Sequence, residues 1–382
     1  MFAAVAHRED PDTSGDRRRL RALIAGGHTG GHIQCALAIA AALERARPGT
    51  VCVLGGAAGG PEVAAAQAAG YAIETVWIGA FDRRRSVAGL ARNLVLVAQL
   101  AVSRGQARAI LARVRPDLVI GVGGYPSAPF VLEAQRRGVP TLLHEANALP
   151  GVANRFLARR AQRVCIGDPA AAGHFPPTKT VVTGNPSRPD LMPMAPAKAR
   201  EILGFHPDRQ TILVTGGSLG SPVLNDWVLS AAGPLAAAGV QTVWQCGRAH
   251  EARLKAQHPP ARPIGFIEDM AAAYAAADLV VAPAGALTVA ELARLGKAAI
   301  LVPTPDLTED HQTRNARSLG DRGVPICLPI DVPRLLTGRV LGLLGDDEER
   351  RAVSSRLAAT AGAGSAADRI AAEALALVEL SS

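Results

Sequence analysis

Leu23-Ile24-Ala25-Gly26-Gly27-His28-Thr29-Gly30-Gly31-His32-Ile33 is the stretch that decides the fold. A short apolar run enters a glycine-rich turn, and the turn opens an Ala- and Leu-rich segment, 33–46, with helical spacing. This is the strand–turn–helix unit of a parallel α/β sheet. Its helix start leaves backbone N–H groups facing an anionic ligand. The pattern returns far along the chain. Run 211–214 enters Gly216-Gly217-Ser218-Leu219-Gly220-Ser221, and run 279–282 enters Ala284-Gly285-Ala286-Leu287-Thr288-Val289-Ala290-Glu291. Two such loops so widely separated predict two stacked nucleotide-binding-type domains with a ligand between them.

Outward from the first loop, strand-like runs at 23–25, 51–54, 73–77, 118–121, 141–143, 163–166 and 181–182 alternate with helical stretches such as 33–46 and 90–113. After Asn185 the residues Pro186, Pro189, Pro193 and Pro196 mark a linker. The alternation restarts with 211–214, 241–245, 279–282 and 299–302, and 365–380 reads as a final amphipathic helix behind Gly362 and Gly364. The expected fold class is α/β, with two Rossmann-like, doubly wound parallel-sheet domains facing a cleft. The expected divisions are a disordered basic tail over 1–19, a first domain over 20–185, a second over 186–364, and a C-terminal helix over 365–382 packing back on the first domain.

Composition narrows the function. The chain has 382 residues, 48% of them hydrophobic, enough to bury two cores. A formal charge of +8 suggests nucleic acid or an anionic membrane surface. Aromatics are only 3% and no basic run is interleaved with them, which argues against nucleic acid. Cys35, Cys52, Cys165, Cys246 and Cys327 are dispersed and never form Cys-x-x-Cys, so buried reduced thiols are expected rather than a disulfide or zinc framework. The polar segment 7–19 lacks the apolar core of a signal peptide, and no run reaches the ~18 apolar residues of a transmembrane helix. Arg83-Arg84-Arg85 precedes an apolar helical face over 90–100, a surface suited to anionic lipid headgroups. Its bland alternative is a core-facing helix beside a solvated loop.

The first loop is not a Walker loop, because His32-Ile33 stands where Lys-Ser/Thr is required. Nor is it a dinucleotide fingerprint, since 51–54 runs into Gly55-Gly56 rather than an acid. His32, at a helix start on a cleft mouth, suits proton abstraction from an attacking hydroxyl; capping or packing is its alternative. Glu291 falls about one turn into a helix opening near Leu287, where a carboxylate grips a ribose diol, or simply joins a solvated face. Ser218 and the N–H groups after Gly217 suit a phosphate, or a plain N-cap. Asp310-His311-Gln312-Thr313-Arg314-Asn315 opens a helix presenting Gln312 to a sugar hydroxyl, or a capping Asp with polar neighbours. No metal is expected: the sole Asp-x-Asp is Asp10-Pro11-Asp12 in the tail. Diphosphate charge would then fall to helix ends, serine and arginine.

Several further motifs lie in register with these: Gly121-Val122-Gly123-Gly124-Tyr125-Pro126-Ser127, His144-Glu145-Ala146-Asn147-Ala148-Leu149-Pro150-Gly151, Gly184-Asn185-Pro186-Ser187-Arg188, and Phe266-Ile267-Glu268-Asp269-Met270. Together with Thr29-Gly30-Gly31-His32 and the donor-type loops, this set resembles the MurG family of N-acetylglucosaminyltransferases over most of the chain. The resemblance implies a GT-B glycosyltransferase, inverting, metal-independent and without cofactor, working peripherally on the cytoplasmic face of the bacterial inner membrane. It implies UDP-N-acetylglucosamine as donor and lipid I, undecaprenyl-diphosphate-N-acetylmuramoyl-pentapeptide, as acceptor, giving lipid II. By the same resemblance, Ile267 meets uracil through its backbone and Glu291 binds ribose. Ser218 and the helix start Ala286, Leu287, Thr288, with Val289 and Ala290 following, hold the donor. Asn147 and Gln312 contact the sugar, and Arg188 lies at the donor side. Thr29, Gly30, Gly31 and Tyr125 face the acceptor or its phosphates, with His32 as general base.

The chain departs from the family pattern at His28, Gln34-Cys35, Ala146, Leu219 and Pro283, all near these motifs. Rival readings are a GT-B paralogue using another lipid-linked acceptor, a nucleotide-sugar epimerase, and a catalytically weak membrane scaffold that binds nucleotide-sugar.

Overall fold

The computed structural model describes residues 19–380 except 28, 80–86, 189–190, 218, 258–259, 305–309 and 363; over 87–98 it describes the backbone alone. The tail up to residue 18, His28, the Arg83–Arg85 cluster, the side chains of the apolar face over 90–98, and Ser218 therefore lie outside the described residues.

The first sheet contains β1 (Arg21–Ala25), β2 (Val51–Ala57), β3 (Ala72–Val76), β4 (Leu118–Gly121), β5 (Thr141–Glu145), β6 (Arg163–Ile166) and β7 (Thr180–Val182). Its seven strands run β3-β2-β1-β4-β5-β6-β7, every pairing parallel. The second contains β8 (Thr211–Thr215), β9 (Gln241–Gln245), β10 (Pro263–Ile264), β11 (Leu279–Ala282) and β12 (Ala299–Leu301). Its five parallel strands run β10-β9-β8-β11-β12. The doubly wound, two-domain architecture is thus as expected. Strand β10 has no counterpart in the sequence reading; its two residues include Pro263, and pairing with Trp244 and Gln245 alone defines it.

Central strands such as β4, β5, β8 and β11 are buried along their whole length, because helices cover both faces. Alternation within β1 separates two apolar layers. Ala22 and Ile24 join Ile39, Leu43, Leu118 and Ile120 on one face, while Leu23 and Ala25 join Val119, Phe130 and Leu143 on the other. Strand order reverses between β1 and β4, and again between β8 and β11. There neighbouring loops diverge, and a crevice opens beyond the strands' carboxyl ends.

The helix Ala366–Glu379 returns from the second sheet and lies on the helix Gly30–Ala46, burying Ile370, Ala371 and Ala374 beside Ile39 and Ala40. Alanines on both surfaces let the backbones approach. Polar bonds fix its register: Arg45 pairs with Asp368 at 2.7 Å, Arg163 with Glu373 at 2.8 Å, and Arg369 Nε donates to the Thr183 carbonyl at 2.9 Å.

Ile370 is wholly buried and Leu380 is 82% exposed. Ile370→Ala is therefore expected to destabilise the protein by about 2–5 kcal/mol, and Leu380→Ala by less than about 0.5 kcal/mol. Thermal melts of the two variants check this; equal midpoints would show that the helix contributes nothing to the first core.

Candidate active site

Thr29 caps the helix Gly30–Ala46 in an extended conformation, its Oγ1 accepting from the His32 N–H at 3.5 Å. His32 Nδ1 lies 3.1 Å from the Gly27 carbonyl and 3.0 Å from Thr29 Oγ1. A carbonyl only accepts, so this contact places the imidazole proton on Nδ1 and leaves Nε2 as the basic nitrogen. The ring is seated on the loop after β4. A Cβ at Gly123 would lie 2.9 Å from Nε2, and one at Gly124 would lie 2.6 Å from the Gly27 carbonyl. Both residues also have left-handed backbones, with φ of +95° and +77°. Glycine is required here twice over, by conformation and by contact. Tyr125 follows, half-buried, with burial and the nearby Glu62 pushing its phenol pKa up.

Strand β5 ends in His144-Glu145, and Glu145 organises the next loop. Its Oε1 accepts from Asn147 N at 3.0 Å and Asn147 Nδ2 at 3.2 Å; its Oε2 accepts from Gly151 N at 3.1 Å and Asn154 Nδ2 at 2.9 Å. From the second domain, Asn315 reaches the same loop. Its Oδ1 accepts from Ala148 N at 2.9 Å, and its Nδ2 donates to Asn147 Oδ1 at 3.2 Å and to the Ala284 carbonyl at 3.1 Å. Neither Glu145 nor Asn315 was singled out from sequence. Each sat inside a motif already noted, one at a strand's carboxyl end and the other one helical turn beyond Gln312. A second interdomain tie joins Asp168 to Ser318 at 2.9 Å and to Arg322 at 3.2 Å.

On the facing side, β11 leads through Ala284-Gly285 into the helix Ala286–Leu295, whose cap Gly285 makes no side-chain capping bond. The first N–H groups of that helix thus form an anion-binding end. A Cβ on Gly31 would come within 4.0 Å of Leu287 Cβ, so the loops of the two domains meet directly. Glu291 is 3% exposed, which rules out a solvated helix face. Its Oε1 accepts from Arg188 Nε at 2.8 Å, and its Oε2 accepts from the Tyr274 hydroxyl at 2.8 Å. Arg294 in turn donates to the Arg188 carbonyl and to Ser187 Oγ, tying the linker to this helix.

Gln312, on the helix His311–Gly320, accepts from Thr304 N at 2.9 Å. The Ile267 N–H donates to Gln245 Oε1 at 3.0 Å, while Gln245 Nε2 donates to the Gly217 carbonyl at 2.9 Å. A buried glutamine therefore joins the second glycine loop to the Phe266–Ile267 turn, where the Arg248 guanidinium lies 4.8 Å from the Phe266 ring centroid. Ala286, Val289 and Ala290 border an interdomain cavity of about 510 Å³, shared with Asn185 and Asn315. Among the described residues, the loops carrying His32 and Asn147 meet the second domain through Gly31–Leu287 and Asn147–Asn315.

Two outcomes test this geometry. Gly123→Ala pushes a methyl toward Nε2 and is expected to lower turnover about tenfold or more while donor affinity holds, measured by steady-state kinetics and calorimetry. His144 is wholly buried, and desolvation draws its pKa from 6.5 down to about 4. The unfolded chain takes up this proton first. The site's contribution to stability is therefore complete above about pH 6.5 and is lost toward pH 4, by up to about 1.4 kcal/mol per pH unit. His144→Gln should flatten that part of a pH–stability curve; an unchanged slope would contradict the assignment.

Comparison with known proteins agrees with this geometry. Residues 22–166 match the glycosyltransferase family 28 N-terminal domain, and residues 211–370 match its C-terminal domain. A protein of Salinibacter ruber is 39% identical over 362 residues, covering 94% of this chain and 96% of its own length. One from Bacteroides thetaiotaomicron is 37% identical over 351 residues, covering 89% and 93%. Both are named UDP-N-acetylglucosamine–N-acetylmuramyl-(pentapeptide) pyrophosphoryl-undecaprenol N-acetylglucosamine transferase. The crystal structure of Acinetobacter baumannii MurG superposes with a TM-score of 0.71 at 28% identity, covering 94% of this chain and all of that one. Two parallel sheets meeting at their switch points, and relatives of this kind over nearly the whole length, show that the chain belongs to the MurG family of GT-B glycosyltransferases.

Proposed function

We propose that the chain transfers N-acetylglucosamine from UDP-N-acetylglucosamine to lipid I, forming lipid II for peptidoglycan, by an inverting and metal-independent displacement. The observation that carries this reading is the direct meeting of the His32 loop with the uncapped helix start at Ala286. His32 Nε2 accepts the proton of the acceptor hydroxyl as its oxygen attacks the anomeric carbon. The bond to the UDP oxygen breaks, and its electron pair leaves with the diphosphate. The imidazolium so formed keeps its Nδ1–H on the Gly27 carbonyl, a partner that favours the charged ring. Diphosphate charge is received by the N–H groups at Ala286–Thr288 and by the Gly216–Ser221 loop. A single in-line step inverts the centre.

In this reading Glu291 grips the ribose and Asn147 and Gln312 position the sugar. Ile267 contacts the base through its carbonyl, or through its N–H once Gln245 yields it. Thr29, Gly30, Gly31 and Tyr125 form the acceptor side. The segment 20–185 is then the acceptor-binding domain and 186–364 the donor domain. The acceptor's lipid tail places the first domain against the cytoplasmic face of the membrane. In support, Trp77, Leu100, Val102, Val152 and Phe156 are exposed apolar groups, with Arg155 and Arg159 beside the last two. Among the described residues no helix is long and apolar enough to cross a membrane.

The test is transfer from radiolabelled UDP-N-acetylglucosamine to a short-chain lipid I analogue with excess chelator present; product formation at the undiminished rate is expected. His32→Ala should cut kcat by about 10²–10⁴-fold with donor affinity within about twofold, whereas Glu291→Ala should raise the donor KM about tenfold or more. Tight donor binding without transfer to this acceptor would reject lipid I as substrate.

A further inference from the structure

The helix Met270–Ala276 carries Tyr274, which is 1% exposed and lies beneath the donor helix. Its hydroxyl donates to Glu291 Oε2 at 2.8 Å. Burial, with Glu291 next in effect, raises the phenol pKa well above its usual value, so the group stays a donor at any physiological pH. Glu291 is itself 3% exposed. A carboxylate on a helix has rotational freedom about its terminal bond, and one fixed oxygen removes it. The other oxygen, Oε1, is held by Arg188 Nε at 2.8 Å, from a linker side chain that is 20% exposed and whose Nη2 also reaches Oε2, at the longer distance of 3.4 Å.

We infer that Tyr274 is a positioning residue for nucleoside recognition: it immobilises one carboxylate oxygen of Glu291 so that the other is presented, in a fixed direction, to a ribose hydroxyl. This rests on the reading of Glu291 as the ribose ligand. The two partners of the carboxylate differ in what they can do. Tyr274 belongs to the core of the donor domain, packed with Met270, Ala273 and Leu279. Arg188 sits on a chain crossing at the cleft, where a diol can exchange with it. The donor's ribose thus meets a carboxylate whose plane is set before binding, and part of the ordering cost is already met in the free protein.

The experiment compares UDP with 2′-deoxy-UDP by calorimetry on the full chain, with thermal melts alongside. The wild-type protein should prefer UDP by about tenfold or more, since the 2′-deoxy ligand lacks one of the hydroxyls that would donate to the fixed carboxylate. Tyr274→Phe keeps the ring and removes only the hydroxyl. It should weaken UDP several-fold, leave 2′-deoxy-UDP nearly unchanged, and so narrow the ratio, while kcat at saturating donor stays within about twofold. In a Glu291→Gln background the same substitution should no longer alter the ratio. Equal weakening of both nucleotides, or an unchanged ratio in a folded Tyr274→Phe protein, overturns the inference. Should Glu291→Gln itself leave the wild-type ratio intact, the ribose assignment fails, and the inference with it, by a result distinct from the first.

Discussion

The carboxamide of Asn315 joins the two halves of the molecule where their chemistry has to be aligned. It sits on the second domain, yet its oxygen accepts from Ala148 and its nitrogen spans Asn147 and Ala284. Each of these groups, left unpaired in a buried setting, costs about 1–3 kcal/mol. The relative placement of the domains is therefore selected by satisfying a few polar atoms. Apolar filling cannot do the same work, because a cavity of about 510 Å³ lies beside Asn315 and Asn185. An interface held by directional bonds around a void has a defined register and little packing to resist opening.

The chain's two crossings reinforce that register from the other side. On the way out, the linker is tied to the helix Ala286–Leu295 by Arg188 with Glu291 and by Arg294 with the Arg188 carbonyl. On the way back, Arg369 holds the Thr183 carbonyl at the end of the first domain, and the helix Ala366–Glu379 settles into that domain's core. The two anchorings differ in kind. Ile370 and Ala374 are buried among apolar neighbours, whereas Glu291 is held by two polar partners, Arg188 and Tyr274. The linker is therefore held by directional polar bonds and the returning helix by apolar burial.

The fold was largely legible because parallel strands covered on both faces are continuous apolar runs, and β9 and β11 carry the same bounds in sequence and structure. Strand β2 runs beyond residue 54 through Gly55-Gly56-Ala57, and the reason it hid is physical. Those glycines have no side chains because Phe130 and Glu62 occupy the space: an added Cβ would lie 3.2 Å from Phe130 at Gly55 and 2.4 Å from Glu62 at Gly56. In the site, residues at loop apexes could be named in advance. Glu145, Tyr274 and Asn315 could not, since each acts through a partner whose proximity exists only after folding. Tyr274 is a core aromatic with no motif around it, and its hydroxyl finds a partner only when Glu291 is packed beside it.

The departures from the family pattern now fall into an order. Cys35 is buried in the first core, where a small apolar thiol packs against its neighbours. Ala146 contributes its carbonyl, which accepts from Asn185 Nδ2 at 2.9 Å. Leu219 is 84% exposed, while its carbonyl closes against Gly247, where a Cβ would lie 2.5 Å away. Pro283 stands immediately before Ala284, whose carbonyl receives Asn315. At Ala146 and Leu219 the fold uses the residue's own main chain, and beside Pro283 that of Ala284, which a change of side chain leaves in place. The groups whose chemistry cannot be supplied by a backbone, the His32 imidazole and the Glu291 carboxylate, are both present and both oriented by bonds to fixed partners. Around Ala146 and Leu219 the peptide carries the contact, and the loops beside the cleft take their shape from glycine conformation and buried amides.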